Sequence, residues 1–121
     1  MPELRFALEK GLQGGVHLDV SLRLDGTLDP DQATISLFLR DGEHLLSEHV
    51  TSEWLLNIEP DGWCEYPQAR LVLLDARGGL FDVAQVPGVV GRALDLAVRV
   101  ETPLGTASAQ TQIELYLDTG L

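Results

Sequence analysis

Basic residues are scarce. Lys10 is the only lysine, and with seven arginines it stands against nineteen acids, for a formal net charge of -11. No window gathers three bases, so the chain lacks the clustered positive charge that binds phosphate backbones or acidic headgroups. Neither nucleic acid nor a membrane surface is expected as a partner. The acidic excess fits solubility and resistance to self-association. Cysteine is nearly absent: Cys64 stands alone, which excludes an intrachain disulfide and a disulfide-built scaffold. Its neighbours Trp63, Glu65 and Tyr66 bring no positive charge to activate a thiolate, so a packing role is expected. Long apolar runs are missing too. The stretch from Leu71 to Leu74 is cut by Asp75, far short of the roughly 20 residues of a membrane helix. Met1-Pro2-Glu3-Leu4-Arg5 has neither the basic start nor the apolar stretch of a secretory signal, and a cytoplasmic location is the expectation.

What is present is a globular composition, 45% hydrophobic and 22% charged, enough to offset chain entropy with one core. A chain of 121 residues builds a single domain over 1–121. Its dominant signal has period two, the mark of strands that bury one face and wet the other. Leu4, Phe6 and Leu8 alternate with Arg5 and Glu9. Val16, Leu18, Val20, Leu22 and Leu24 alternate with His17, Asp19, Ser21 and Arg23. A one-residue slip there would bury a row of polar groups, which specifies register. Ile35, Leu37 and Leu39 oppose Thr34, Ser36 and Arg40, with Phe38 lending the outer face apolar character. Leu94, Leu96, Val98 and Val100 alternate with Asp95 and Arg99, and Ala107, Ala109, Thr111, Ile113, Leu115 and Leu117 form the inward row of a return strand.

Turn residues separate these segments: glycines within residues 11–15, Asp41-Gly42, Arg77-Gly78-Gly79 leading into a strand over residues 80–84, and Thr102-Pro103-Leu104-Gly105. Residues 69–75 read as a central strand covered on both faces. Residues 59–67 read as a structured loop around Trp63. Residues 43–57 carry two signals. Asp41-Gly42 predicts a return strand over residues 45–50, while Leu46, Val50 and Trp54 lie four apart, as on one face of a helix. The strand is preferred. Eight or nine short strands without a long amphipathic helix predict an all-β fold, an antiparallel β-sandwich.

The stretch from Leu94 to Leu115, with its alternating strand, Gly105 turn and small-residue return, resembles the final hairpin of immunoglobulin-like and fibronectin type III domains. That likeness spans about a fifth of the chain and implies an immunoglobulin-like sandwich topology. It departs from the family at two points. A strand cysteine pair is impossible with Cys64 alone, and Leu94 and Leu96 occupy the positions expected for the corner tyrosine. No functional residue carries over.

The chemistry-bearing residues form few patterns. Asp25, Asp29 and Asp31 place three carboxylates within seven residues and could supply part of a calcium shell, although Asp and Pro equally compose an ordinary turn, and the spacing is not that of an EF-hand. His17, His44 and His49 show no metal-ligand spacing and read as solvated. No serine sits in a nucleophile elbow, and no glycine-rich turn opens a helix. Neither an enzyme nor a cofactor is therefore expected. What remains is recognition. Phe38 and Tyr116 stand on outer strand positions, and Trp63 and Tyr66 are of the types enriched at interface hot spots, though a tryptophan equally plugs a core. The expected role is non-catalytic protein binding or assembly, with a protein partner or a second copy. The alternatives are a barrel that holds a small apolar ligand and a calcium-dependent binding module.

Overall fold

A computed structural model of the chain describes residues 4–10, 15–24, 33–54, 57–58, 64–75, 77–79, 83–103 and 105–117. The elements in order are β1 (Leu4–Lys10), β2 (Val16–Leu24), β3 (Ala33–Asp41), β4 (His44–Trp54), the two-residue β5 (Asn57–Ile58), β6 (Cys64–Val72), a 3-10 helix (Val83–Gly88), β7 (Leu94–Thr102) and β8 (Gly105–Leu117). The fold is all-β, as the alternation requires. In β3 the inward residues Ala33, Ile35, Leu37 and Leu39 are fully buried, while Thr34, Ser36 and Phe38 lie half-buried on the other face. Val16, Leu18 and Val20 of β2, Leu94, Leu96 and Val100 of β7, and Ile113 and Leu115 of β8 complete the same core. Each such side chain contributes about 1.5–3 kcal/mol on removal from water.

The strands form one sheet in the order β4-β3-β7-β8-β1-β2-β6-β5. It is mixed rather than antiparallel throughout. Leu4 to Leu8 run parallel to Ile113 to Leu117, and only Glu9 and Lys10, at the far end of β1, turn across to pair antiparallel with His17 and Val16 of β2. β1 thus serves two neighbours, which joins the two halves of the sheet. The seven long strands curl until β4 and β6, near opposite ends of the order, meet, giving a nearly barrel-shaped sheet. The meeting line is not a regular ladder. The Leu74 N–H donates to Leu46 O at 2.6 Å, the Ser47 hydroxyl donates to Val72 O at 2.7 Å, and His49 Nδ1 lies 3.2 Å from Arg70 O. Side chains of β4 thus meet the β6 carbonyls of Arg70 and Val72, where a ladder would use main-chain groups.

One local expectation, the strand preferred for residues 43–57, holds, and three others change. Residues 43–57 hold strand through Trp54 and again at β5, with no helix among those described. The four-residue spacing has another cause: β4 carries register shifts, one of which leaves Leu46 as an extra residue between Leu45, opposite Arg40, and Ser47, opposite Leu39. That bulge lets Leu46 and Ser47 both be buried and shifts the parity of everything beyond it. β6 starts at Cys64, inside the expected loop, and admits Pro67 because its register against β2 shifts there: Val20 opposes Ala69 but Leu22 opposes Tyr66. A proline, with no N–H to donate, is tolerated at such an irregularity. Further along, Leu71 and Leu73 are buried while Val72 and Leu74 are half-buried, so this strand has two unequal faces. Finally, the strand expected over residues 80–84 is not found at its last two positions. The 3-10 helix begins at Val83, and residues 80–82 lie outside those described.

Two of the expected turns are well defined. The β3–β4 hairpin closes on Asp41 opposite His44, with Gly42 at φ +61, a left-handed conformation that glycine adopts without steric cost. The β7–β8 hairpin closes on Thr102 opposite Gly105.

Candidate binding surface

The outer face of β4, β3, β7 and β8 is built by the even-numbered residues of β3 and β8 and their cross-strand partners. Phe38 stands opposite Glu48 on one side and Ala97 on the other, and Ala97 stands opposite Gln110. The Phe38 ring is half-buried, with the Arg40 guanidinium 5.9 Å from its centroid. Beside it lies a shallow hollow of about 350 Å³ lined by Phe38, Ala97, Arg99, Ser108 and Gln110, with Val98 and Ala109 beneath. Val50, opposite Ser36 on the same face, is 51% exposed. Ala97, Ser108 and Ala109 contribute small side chains to this hollow.

Tyr116 shares the outward parity but is covered differently. The Arg5 guanidinium sits 4.8 Å from its ring centroid, and Arg5 also reaches Glu114 at 3.8 Å. Tyr66 is buried within the β4–β6 seam, where its hydroxyl lies 2.8 Å from His49 Nε2 and 3.2 Å from Thr51 Oγ1. A phenol satisfied in this way pins two strands together. Trp63, Asp25, Asp29 and Asp31 lie outside the described residues.

One cluster of titratable groups was not read from the sequence. His17 is only 7% exposed, not solvated, and its Nε2 lies 3.4 Å from Glu9 Oε2 and 3.9 Å from Asp19 Oδ2. The signal was faint, since Glu9 and His17 become neighbours only through the β1–β2 register. The three ligand atoms lie within 4.8 Å of one another. A divalent ion bound at about 2.0–2.2 Å would have to draw both carboxylates inward. Asp19 Oδ1 is already held by Arg70 Nε at 3.3 Å, and that positive charge opposes a cation. The arrangement serves better as a polar tie between β1, β2 and β6.

Among the described residues, Asp75 is the one group whose acidity is clearly perturbed. Its Oδ1 accepts the Gly79 N–H at 2.9 Å and the Arg77 N–H at 2.8 Å, and these two bonds hold the carboxyl below its usual 3.8. The geometry is a self-contained turn, closed further by the Asp75 N–H on Gly79 O and the Gly78 N–H on Asp75 O. It fixes the chain direction after β6 and presents no reactive group to a cleft.

The return strand carries the largest departure from expectation. Of its six inward-row residues, only Ile113 and Leu115 are buried; Ala109 and Thr111 are exposed, Ala107 is half-buried and Leu117 is 48% exposed. The reason is topological. β1 accompanies β8 only from Ile113 onward, so residues 105–112 have β7 on one side and no described strand on the other. A second shallow hollow, of about 100 Å³, lies there over Val98, Val100, Ala107 and Ala109. The chain matches no protein-family model and no curated protein.

Proposed function

We propose that this chain is an immunoglobulin-like β-sandwich module that works without catalysis, by binding protein. Support for the architecture comes from the strand order. Lettered along the chain as A, B, C, C′, D, E, F and G, the order β4-β3-β7-β8 reads C′CFG and β1-β2-β6-β5 reads ABED, the two sheets of immunoglobulin domains. β1 bridges them, and the inward residues of both halves fill a shared core in which Leu18, Leu37, Leu71 and Leu115 have no exposed surface. A core filled by side chains favours a solid sandwich over a barrel that holds an apolar ligand.

The observation that carries the binding role is the β7–β8 hairpin with its neighbour β3: a shallow, mostly uncharged hollow beside Phe38, flanked by exposed Val50 and by an edge without a described neighbour. Apolar surface rimmed by polar groups is what protein interfaces use. Affinity capture from native extract, with Phe38→Asp alongside the unaltered chain, tests this. A protein retained by the unaltered chain and lost by a variant of unchanged circular dichroism supports the role. Equal retention by both, or no retained protein together with a monomeric chain, refutes it.

A further inference from the structure

We propose that residues 105–112 of β8 pair with the same segment of a second copy, joining two sheets edge to edge about a twofold axis at Ala109. The proposal rests on the protein-binding role above and names the partner.

A two-residue turn makes its flanking pair, Thr102 and Gly105, a bonded one, and bonding then alternates along an antiparallel ladder. Ala107, Ala109 and Thr111 therefore turn their N–H and C=O toward β7, and Thr106, Ser108, Gln110 and Gln112 turn theirs toward the open side. Leu115 keeps the same parity, because its carbonyl accepts the Gly91 N–H at 3.1 Å from the stretch leading into β7. An open edge of this kind recognises any extended strand.

Charge permits a second copy at this edge. At a net charge of -11, two copies repel over most of their surface. Residues 102–113 are the longest stretch of the chain without Asp, Glu, Lys or Arg, and they contain the open edge. Residues 105–112 have no lysine, no proline and no register shift against β7, so three of the usual devices that blunt an edge are missing from it. This edge is where two acidic copies can meet without juxtaposing like charges.

The register follows from parity. Two strands related by a twofold axis perpendicular to the sheet keep their faces, so opposed residues share parity. Centred on Ala109, Ser108 opposes Gln110 of the second copy, Thr106 opposes Gln112, and Ala107 opposes Thr111. The outward-bonding residues then meet one another, giving about eight main-chain bonds. Ala109 meets its own counterpart at a non-bonded position, where strands approach most closely and a small side chain fits. The pair ends where β1 begins beside Ile113.

Sedimentation and light scattering over a concentration series test the proposal, using the full chain, Ser108→Lys/Gln110→Lys, Ser108→Glu/Gln110→Glu, and an equimolar mixture of the two variants. The unaltered chain should double in mass. Each variant opposes like charges in this register, and its association should weaken roughly tenfold or more, while the mixture should restore a dimer. A chain that stays monomeric to millimolar concentration overturns the proposal, as does a lysine variant that dimerises like the unaltered chain. Hydrogen exchange on the unaltered chain supplies a check free of mutation. The amides of Ser108 and Gln110 should gain protection with concentration while those of Ala107 and Ala109 do not, and the absence of that alternation at concentrations where the mass doubles overturns the register. A monomeric chain whose Phe38-dependent capture persists refutes self-pairing and leaves the binding role standing.

Discussion

Replacing Ser47 with alanine removes one oxygen from the line where the sheet closes on itself. Ser47 has no exposed surface, and its hydroxyl donates to Val72 O at 2.7 Å. Losing a neutral hydrogen bond costs about 1 kcal/mol, and leaving the Val72 carbonyl without its donor raises the cost toward about 1–3 kcal/mol. For a domain of this size that corresponds to a fall in Tm of roughly 5–10 °C. The neighbouring Tyr66→Phe removes the hydroxyl that meets His49 and Thr51, both only half-buried, where water can substitute, so about 0.5–1.5 kcal/mol is expected. Urea unfolding of both variants gives the ordering, with Ser47→Ala the more damaging. Hydrogen exchange locates the effect: the Leu74 amide, bonded to Leu46 O across the same seam, should lose protection while the Leu37 amide in mid-sheet keeps it. A Ser47→Ala protein within about 0.5 kcal/mol of the parent, with Leu74 still protected, would refute the view that side-chain bonds hold β4 to β6.

Gly42→Ala places a Cβ where no heavy atom lies within 4 Å, so its effect is purely conformational. At φ +61 it should cost about 1–2 kcal/mol in unfolding experiments, and a loss beyond about 3 kcal/mol would mean that the site is crowded after all. Asp75→Ala tests the turn after β6 through pH. Because the folded carboxyl titrates below its unfolded value, its stabilising contribution is complete above the unfolded value near 3.8 and disappears as pH falls through the folded one. Melting curves of parent and variant should therefore converge below about pH 4, and a gap that widened in acid would contradict the assignment.

The sequence disclosed the fold wherever one strand obeyed one period. Val16, Leu18 and Val20, or Ile35, Leu37 and Leu39, lie in the core because each flanking strand keeps register with them. Where a strand carries an extra residue the pattern misleads. The bulge at Leu46 turned a strand into an apparent helical spacing, and the shift near Pro67 made the first half of β6 look like loop. The inward parity of β8 was legible, but its burial was not, because whether Ala109 is covered depends on where β1 starts to accompany β8, a fact of three-dimensional register. The same limit hid the Glu9–His17–Asp19 tie. Phe38 was found because a large ring on a polar strand face breaks alternation, a signal that needs no neighbour to be read.

Among the described residues, two unladdered borders of this sheet differ in a way that bears on function. Along the β4–β6 border, Ser47, His49, Thr51 and Tyr66 are polar side chains directed at the neighbouring strand, and they meet its carbonyls or one another. Along the border of residues 105–112, the side chains are Thr, Ala, Ser and Gln, and among the hydrogen bonds there the Thr102 hydroxyl on Gly105 O lies at the turn itself. The first border is closed by the chain's own groups, at the cost of fixing several side chains. The second carries uncharged side chains and has no described strand beside it, and neighbouring hollows give an added strand something to cover. A partner strand entering at β4–β6 would have to break an existing network, whereas one entering at β8 meets no described strand. Recognition should therefore concentrate on the hairpin side of the domain, and charge introduced at Ser108 should disturb association far more than stability.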